Sequence, residues 1–141
     1  MVRKGADPQR RKARMPRFGK KSRSRLKGLD SDIVNVLNQS IKHFDFSIIE
    51  GLRTLETQKS YVAKGASKTL KSKHIDGKAV DIAPYPIDYD DVERFVYLGG
   101  FILGVASQLG VKLRWGLDWD RDTYTKDTGF RDIGHFEIYD K

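Results

Sequence analysis

The sequence predicts an α+β domain, a small antiparallel sheet with helices packed against it, and three observations carry that prediction. Short β-branched runs and longer helical periodicities follow one another without the regular βαβ alternation of a parallel sheet. A length of 141 residues supplies one hydrophobic core and is too short for two ordinary domains joined by a linker. Hydrophobic residues at 38% and charged residues at 33% match an ordinary globular chain, which excludes wholesale disorder.

The elements read in order as follows. Asp30 and Ser31 offer side-chain acceptors for a helix start, and Ile33, Val34, Leu37, Ile41 and Phe44 recur at three- and four-residue steps behind them. Phe46 to Glu50 is short, apolar and β-branched, a strand that ends at Gly51-Leu-Arg53. Thr54 caps a second helix from Leu55 to Lys64, closed by Gly65. After a polar loop, Lys78 to Ala83 alternates as a strand and stops at Pro84 and Pro86. Asp90 and Asp91 suit the start of the longest helix, which carries Phe95, Leu98, Phe101, Ile102, Val105 and Leu109 and stops at Gly110. Lys112 to Trp115 and His135 to Tyr139 are two further strands, separated by a long acidic loop.

Charge divides the chain unevenly. Residues 1–28 hold twelve Lys or Arg and one acid, Asp7, for a net of +11, although the whole chain carries only +8. The basicity therefore belongs to an N-terminal arm, assigned to residues 1–17, and residues 18–141 form the single expected domain. Such an arm either draws the protein to an anionic membrane or wall surface or serves as a solubility tail. No groove-entering motif accompanies it, so specific nucleic-acid recognition is not expected, and the domain is expected to act as a monomer. No apolar run approaches the roughly 18 residues of a membrane-spanning helix. Met1-Val-Arg-Lys4 also lacks the apolar stretch of a secretory signal, so a cytoplasmic product is expected.

With no cysteine in the chain, any metal must be held by His, Asp or Glu, and there are three histidines to consider. In the strand ending at Pro84, Asp81 shares a face with the small Ala79 and Ala83, opposite Val80 and Ile82. In the last strand, His135 and Glu137 share a face opposite Phe136 and Ile138. His74, Asp81 and His135 together offer three ligands suited to Zn2+ and leave a fourth tetrahedral position for water, as metal-assisted hydrolysis requires. Asp132, three residues before His135, is placed to take a proton from that water. On spacing alone the plainer account stays open: His74 a loop residue, Asp81 a salt-bridge partner, His135 a satisfied strand histidine.

The pattern Ser72-x-His74-x6-Asp81, followed by Asp132-x-x-His135 and preceded by Gly51-x-Arg53, resembles the zinc D,D-peptidase family. That family includes D-alanyl-D-alanine carboxypeptidases and dipeptidases and the phage L-alanyl-D-glutamate endolysins, and its zinc site resembles those of lysostaphin and the sonic hedgehog domain. The likeness extends over about residues 18–140, and Phe18 to Leu26 and Lys112 to Trp119 are similar to segments of the phage enzymes. It implies a hedgehog and D,D-peptidase-like zinc domain in which His74, Asp81 and His135 bind zinc and Asp132 is the general base. It further implies Arg53 as a cation beside the substrate carbonyl or carboxylate, and Ser72 as a substrate-binding hydroxyl. Many D,D-peptidase relatives carry Glu where this chain has Asp132, which favours the endolysin branch.

The resemblance thus implies a zinc peptidase that cleaves the L-alanyl-D-glutamate bond of peptidoglycan and is held in the host cytoplasm until lysis. Its competitors are a D-alanyl-D-alanine carboxypeptidase or dipeptidase and a non-catalytic zinc-containing binding module. Asp118, Asp120 and Asp122 imitate the start of a calcium loop, but Thr123 stands where that loop expects glycine and no Glu stands at position twelve, so the alternative is a solvated acidic loop. His43, at the end of the first helix, is not expected to bind metal. Trp115 and Trp119 serve either the core or a substrate groove, and Glu137 either orients an imidazole or lies at the surface.

Overall fold

In a computed structural model that describes residues 16–140, the domain is built from four helices and four strands. In chain order these are α1 (Lys20–Arg25), α2 (Ser31–Ser40), β1 (Phe46–Glu50), α3 (Leu55–Ala63), β2 (Ala79–Pro84), α4 (Val92–Leu109), β3 (Leu113–Gly116) and β4 (Asp132–Ile138). Residues 1–15, most of the basic arm, lie outside the described part. The strands form one sheet in the order β1-β2-β4-β3, with every neighbouring pair antiparallel. This is the α+β architecture expected from the sequence.

Caps set the helix limits. Asp30 accepts from the Asp32 amide at the start of α2, Thr54 from the Thr57 amide at the start of α3, and Asp91 from the Arg94 amide at the start of α4. Gly110 ends α4 in the left-handed conformation, which glycine adopts without steric penalty. Helices α2 and α4 cover one face of the sheet, burying Ile33, Val36 and Leu37 with Leu98, Ile102 and Ala106 against Ile48, Val80, Ile82 and Phe136. Trp115 belongs to this core: it is 4% exposed, lies parallel to Phe136 at 6.1 Å, and donates its indole N–H to the Ile133 carbonyl at 2.8 Å. His43 is exposed beside Phe101.

Helix α1 has no counterpart in the sequence reading, because Lys-Lys-Ser-Arg-Ser-Arg carries no apolar periodicity. It forms because the outer edge of β1 needs partners. Ser22 Oγ accepts the Ile48 N–H at 3.0 Å, and Arg25 Nη1 donates to the Ile48 carbonyl at 2.9 Å. At Ile48 the edge strand's backbone is therefore satisfied by side chains rather than left open for a further strand. Phe18, just ahead of the helix, packs edge-on against Phe46 with ring centroids 5.3 Å apart.

Replacing Ser22 with Ala strands the buried Ile48 N–H, and a loss of about 1–3 kcal/mol is expected. Urea unfolding followed by circular dichroism should show a lower midpoint at an unchanged slope.

Candidate active site

The site is built on the sheet face opposite α2 and α4, and strand register assembles it. Asp81 on β2 pairs with His135 on β4, and one step along, Glu137 on β4 pairs with Ala79 on β2 and with Arg114 on β3. Because side chains alternate across a strand, Asp81, His135, Glu137 and Arg114 all stand on this polar face. Two irregularities add residues that strict alternation would send into the core. A register shift between Ile48 and Glu50 places Glu50 opposite Asp81, although it lies two residues from the buried Ile48. A second shift, between Trp115 and Gly116, pairs Asp132 with Gly116 and leaves an Asp132 carboxylate oxygen 3.9 Å from His135 Nδ1. In a regular strand a spacing of three would have put those two side chains on opposite faces.

His74 arrives from the loop before β2. Gly77, at φ 71°, turns the chain there, and a Cβ at this position would run into the Gly28 carbonyl oxygen, so the close approach also requires glycine. The Gly77 carbonyl accepts from the Asp30 amide at 2.8 Å, and the His74 carbonyl accepts from the Arg53 amide at 2.9 Å. The His74 ring is buried at 2% exposure. Its Nδ1 lies 2.8 Å from the Gly51 carbonyl oxygen, which can only accept, so Nδ1 carries a hydrogen and Nε2 is the nitrogen turned inward.

His74, Asp81 and His135 meet at one point, with a ligand atom from each lying within 4.8 Å of the others. His74 Nε2 is 3.3 Å from one Asp81 oxygen and His135 Nδ1 is 2.9 Å from the other. The far nitrogen of His135, Nε2, is 2.8 Å from Glu137 Oε1. Each ring is thus held from behind by an acceptor and turns its other nitrogen toward a shared carboxylate. Two nitrogens and a carboxylate facing one another call for a cation, and this donor set suits Zn2+. Electrostatics of the protein groups alone point the same way. Burial works against charge on both Asp81 and His135, yet the hydrogen bonds from His135 and His74 hold the Asp81 carboxyl well below the carboxylate range. Those to Asp81 and Glu137 carry His135 up to about 9. Burial pushes the Asp132 carboxyl above its ordinary value, a direction that suits a proton carrier.

Arg53 is fixed from several sides. Its guanidinium pairs with Glu50, donates to Gln58 Oε1 at 2.6 Å, lies 3.4 Å from Ser72 Oγ and stacks 4.6 Å from the Tyr61 ring centroid. Its side chain is 9% exposed, and its Nε has no hydrogen-bond partner within the protein. Ser72 Oγ accepts from the His74 amide at 3.2 Å, which shapes the loop and leaves the hydroxyl hydrogen uncommitted. Gln58, fully buried, also donates to Ser67 Oγ at 2.9 Å and to the Thr69 carbonyl at 2.6 Å, tying α3 to the loop that leads to His74. Glu50, Gln58 and Tyr61 escape the sequence reading. Their only mark is that they stand within eight residues of Arg53, and a polar residue among polar neighbours gives no sign of burial.

Trp119 stands beside the site, its ring 5.5 Å from that of His135 and stacked on the exposed Phe130 at 6.2 Å. Asp118, Asp120 and Asp122 do come together in the loop that follows β3, with oxygens within 4.8 Å of one another. Those oxygens are already engaged: Asp118 accepts from the Asp122 and Thr123 amides at 3.2 and 3.0 Å, and Asp122 accepts from the Tyr124 amide at 2.8 Å. Thr123, where a calcium loop places glycine, has a φ of 71°.

Comparison with known proteins gives the same architecture an ancestry. Residues 15–139 match the family model described as phage L-alanyl-D-glutamate peptidase. The L-alanyl-D-glutamate peptidase of Escherichia phage T5 is 34% identical over 133 residues, covering 86% of this chain and 97% of that protein. The crystal structure of the Serratia marcescens L-Ala D-Glu endopeptidase ChiX superposes with a TM-score of 0.73 at 26% identity, covering 88% of this chain and 91% of the other. A vancomycin-resistance D,D-pentapeptidase, VanY, solved with Zn(II), shares the fold at a TM-score of 0.50 and 20% identity, covering 78% of this chain and 72% of the other. The chain thus shares its fold with ChiX and with VanY. The chain belongs to the phage L-alanyl-D-glutamate peptidase family.

Gln58→Ala removes the nearer of two acceptors of Arg53 Nη1 and both loop contacts at once. A stability loss of about 1–3 kcal/mol is expected, with zinc content unchanged and peptidase activity reduced. Thermal unfolding, elemental analysis and a peptidase assay on the same preparation separate the three.

Proposed function

We propose that the protein is a zinc-dependent endopeptidase that hydrolyses the L-alanyl-D-glutamate amide of peptidoglycan stem peptides and thereby lyses the host cell. The observation that carries the reading is the convergence of His74, Asp81 and His135 within 4.8 Å, with the Asp132 carboxylate 3.9 Å from one of the rings. Family membership supplies the bond.

In this reading His74 through Nε2, Asp81 through its carboxylate and His135 through Nδ1 would hold the metal. A zinc ion there supplies Lewis-acid polarisation of the scissile carbonyl and a lowered water pKa. Asp132 takes the proton from the attacking water as the C–O bond forms and then returns it to the leaving D-glutamate nitrogen as the C–N bond breaks. Its elevated affinity for a proton and its place beside the ligand set suit both halves of that transfer. Arg53, held by Glu50 and Gln58, offers a fixed cation to the carbonyl oxygen or to a substrate carboxylate. Ser72 offers its hydroxyl hydrogen to the peptide. The Trp119 and Phe130 stack forms an apolar wall on the β4 side.

The finer parts of the reading follow from the same assignment. Residues 1–17 would gather the enzyme on an anionic membrane or wall surface. The protein would wait as a monomer in the host cytoplasm before reaching periplasmic peptidoglycan. Among the described residues no helix is long and apolar enough to cross a membrane. A regulatory calcium ion at Asp118, Asp120 and Asp122 is a separate reading, favoured by the meeting of the three carboxylates and by the left-handed Thr123. It requires the activity of zinc-loaded enzyme to change with added calcium, and flat rates would leave the loop with a structural role only.

Digestion of purified sacculi followed by mass spectrometry tests the main proposal. New C-terminal L-alanine and new N-terminal D-glutamate are expected, whereas release of terminal D-alanine would replace this reading with the D-alanyl-D-alanine carboxypeptidase one.

Asp132→Asn is expected to retain zinc and fold while turnover falls by roughly 10²-fold or more. His74→Ala and His135→Ala are expected to lose the metal as well. Elemental analysis alongside single-turnover rates distinguishes the two outcomes, and full activity in Asp132→Asn would remove the base role from this residue.

A further inference from the structure

Glu137 is a carboxylate that the proposed reaction does not use, and its burial calls for a reason. It is 7% exposed, and placing a carboxylate there is costly unless its oxygens are paired. Its two oxygens are divided between two tasks. Oε1 lies 2.8 Å from His135 Nε2, while Oε2 accepts from Arg114 Nε at 3.0 Å and Arg114 Nη2 at 2.7 Å. Lys73 Nζ lies 3.6 Å from the same Oε2 and donates to the Ile138 carbonyl. Arg114 in turn lies 5.6 Å from the Trp119 ring, which stands against His135.

This places Glu137 behind His135, on the far side of the imidazole from Asp81, and so rules it out as a stand-in for Asp132 as general base. The position suits another task. A carboxylate can only accept, so it holds a hydrogen on Nε2 and makes Nδ1, the nitrogen beside Asp81, the one that a metal can take in place of a proton. Arg114 converges two N–H groups on Oε2 and balances the carboxylate's charge, which leaves Oε1 directed at His135. Lys73, adjacent to His74 in sequence, ties the His74 loop to β4 through both Glu137 and Ile138. One buried carboxylate therefore braces the two segments that bring the histidines together.

We propose that Glu137, clamped by Arg114, is a positioning residue that locks His135 in the tautomer able to bind metal through Nδ1 and strengthens it as a ligand. The proposal rests on the zinc-site reading above. It predicts that reach and charge both matter. Glu137→Gln preserves the reach and loses the charge, and Glu137→Asp preserves the charge and loses the reach. Both are expected to weaken zinc binding by about 10- to 100-fold, the range found when partners of ligating histidines are removed. The measurement is competition with a chromophoric chelator on folded protein, with circular dichroism as the check on folding.

Nitrogen-15 NMR of histidine-labelled, zinc-loaded enzyme supplies a readout that a merely structural salt bridge would not move. In the unsubstituted protein His135 should show a metal-bound Nδ1 and a protonated Nε2, and in Glu137→Gln the Nε2 proton should exchange faster with solvent. Arg114→Lys, which keeps the charge but loses the fork, is expected to weaken zinc a few-fold in the same direction, and it serves if either Glu137 variant fails to fold. Zinc affinity within twofold of the unsubstituted protein, in the folded Glu137 variants or in Arg114→Lys, would overturn the proposal. Because the titration contains no peptide, zinc affinity that falls as expected in the variants while the unsubstituted, zinc-loaded enzyme fails to cut L-alanyl-D-glutamate would refute the substrate and leave the positioning role standing.

Discussion

The site depends on one carboxylate shared between two imidazoles across a strand pair. Asp81 faces His74 with one oxygen and His135 with the other, and it can do so because β2 and β4 run antiparallel with Asp81 directly opposite His135. Burial alone would push that carboxyl toward its neutral form, and the two rings reverse the direction. A slip of one residue in the register would turn His135 into the hydrophobic core and Phe136 out to solvent. The helices on the opposite face, by demanding Val80, Ile82 and Phe136, therefore fix the geometry of the polar face as well.

Around that pair the structure repeats a single device, in which each chemically exposed group is held from behind. The Gly51 carbonyl holds His74, Glu137 holds His135, and Glu50 with Gln58 holds Arg53. The holding groups come from different elements, so the sheet, α3 and the turn after β1 share responsibility for one small volume. Preorganisation of this kind leaves little to rearrange when charge develops in a transition state. It also explains why buried polar side chains are concentrated here while the opposite face of the sheet is apolar.

Much of this was legible in the sequence. Alternation in Ala79 to Ala83 and in His135 to Ile138 placed Asp81 and His135 on polar faces, and the caps Asp30, Thr54 and Asp91 marked the helix starts because capping depends on a few neighbouring residues. Local chemistry sufficed for each of these. Helix α1 was not legible, since it exists to satisfy the edge of β1, a partner more than twenty residues away. Glu50 was hidden for a related reason: the register shift that turns it to the polar face is a property of the strand pair, which β1 alone does not encode.

What the sequence determined by itself was the inventory and its grouping: a cysteine-free chain with two histidines and an aspartate on predicted polar positions, a basic arm set apart from the domain, and the pattern of a known peptidase family. Tertiary structure decided which nitrogen of each histidine faces the centre, that Asp132 reaches His135 despite a spacing of three, and that Trp115 belongs to the core while Trp119 borders the site. The physical reason is one of range. Periodicity and capping are written in neighbouring residues, whereas ring orientation, bulges and buried hydrogen-bond partners follow from contacts between segments far apart in the chain, and these exist only once the sheet has closed.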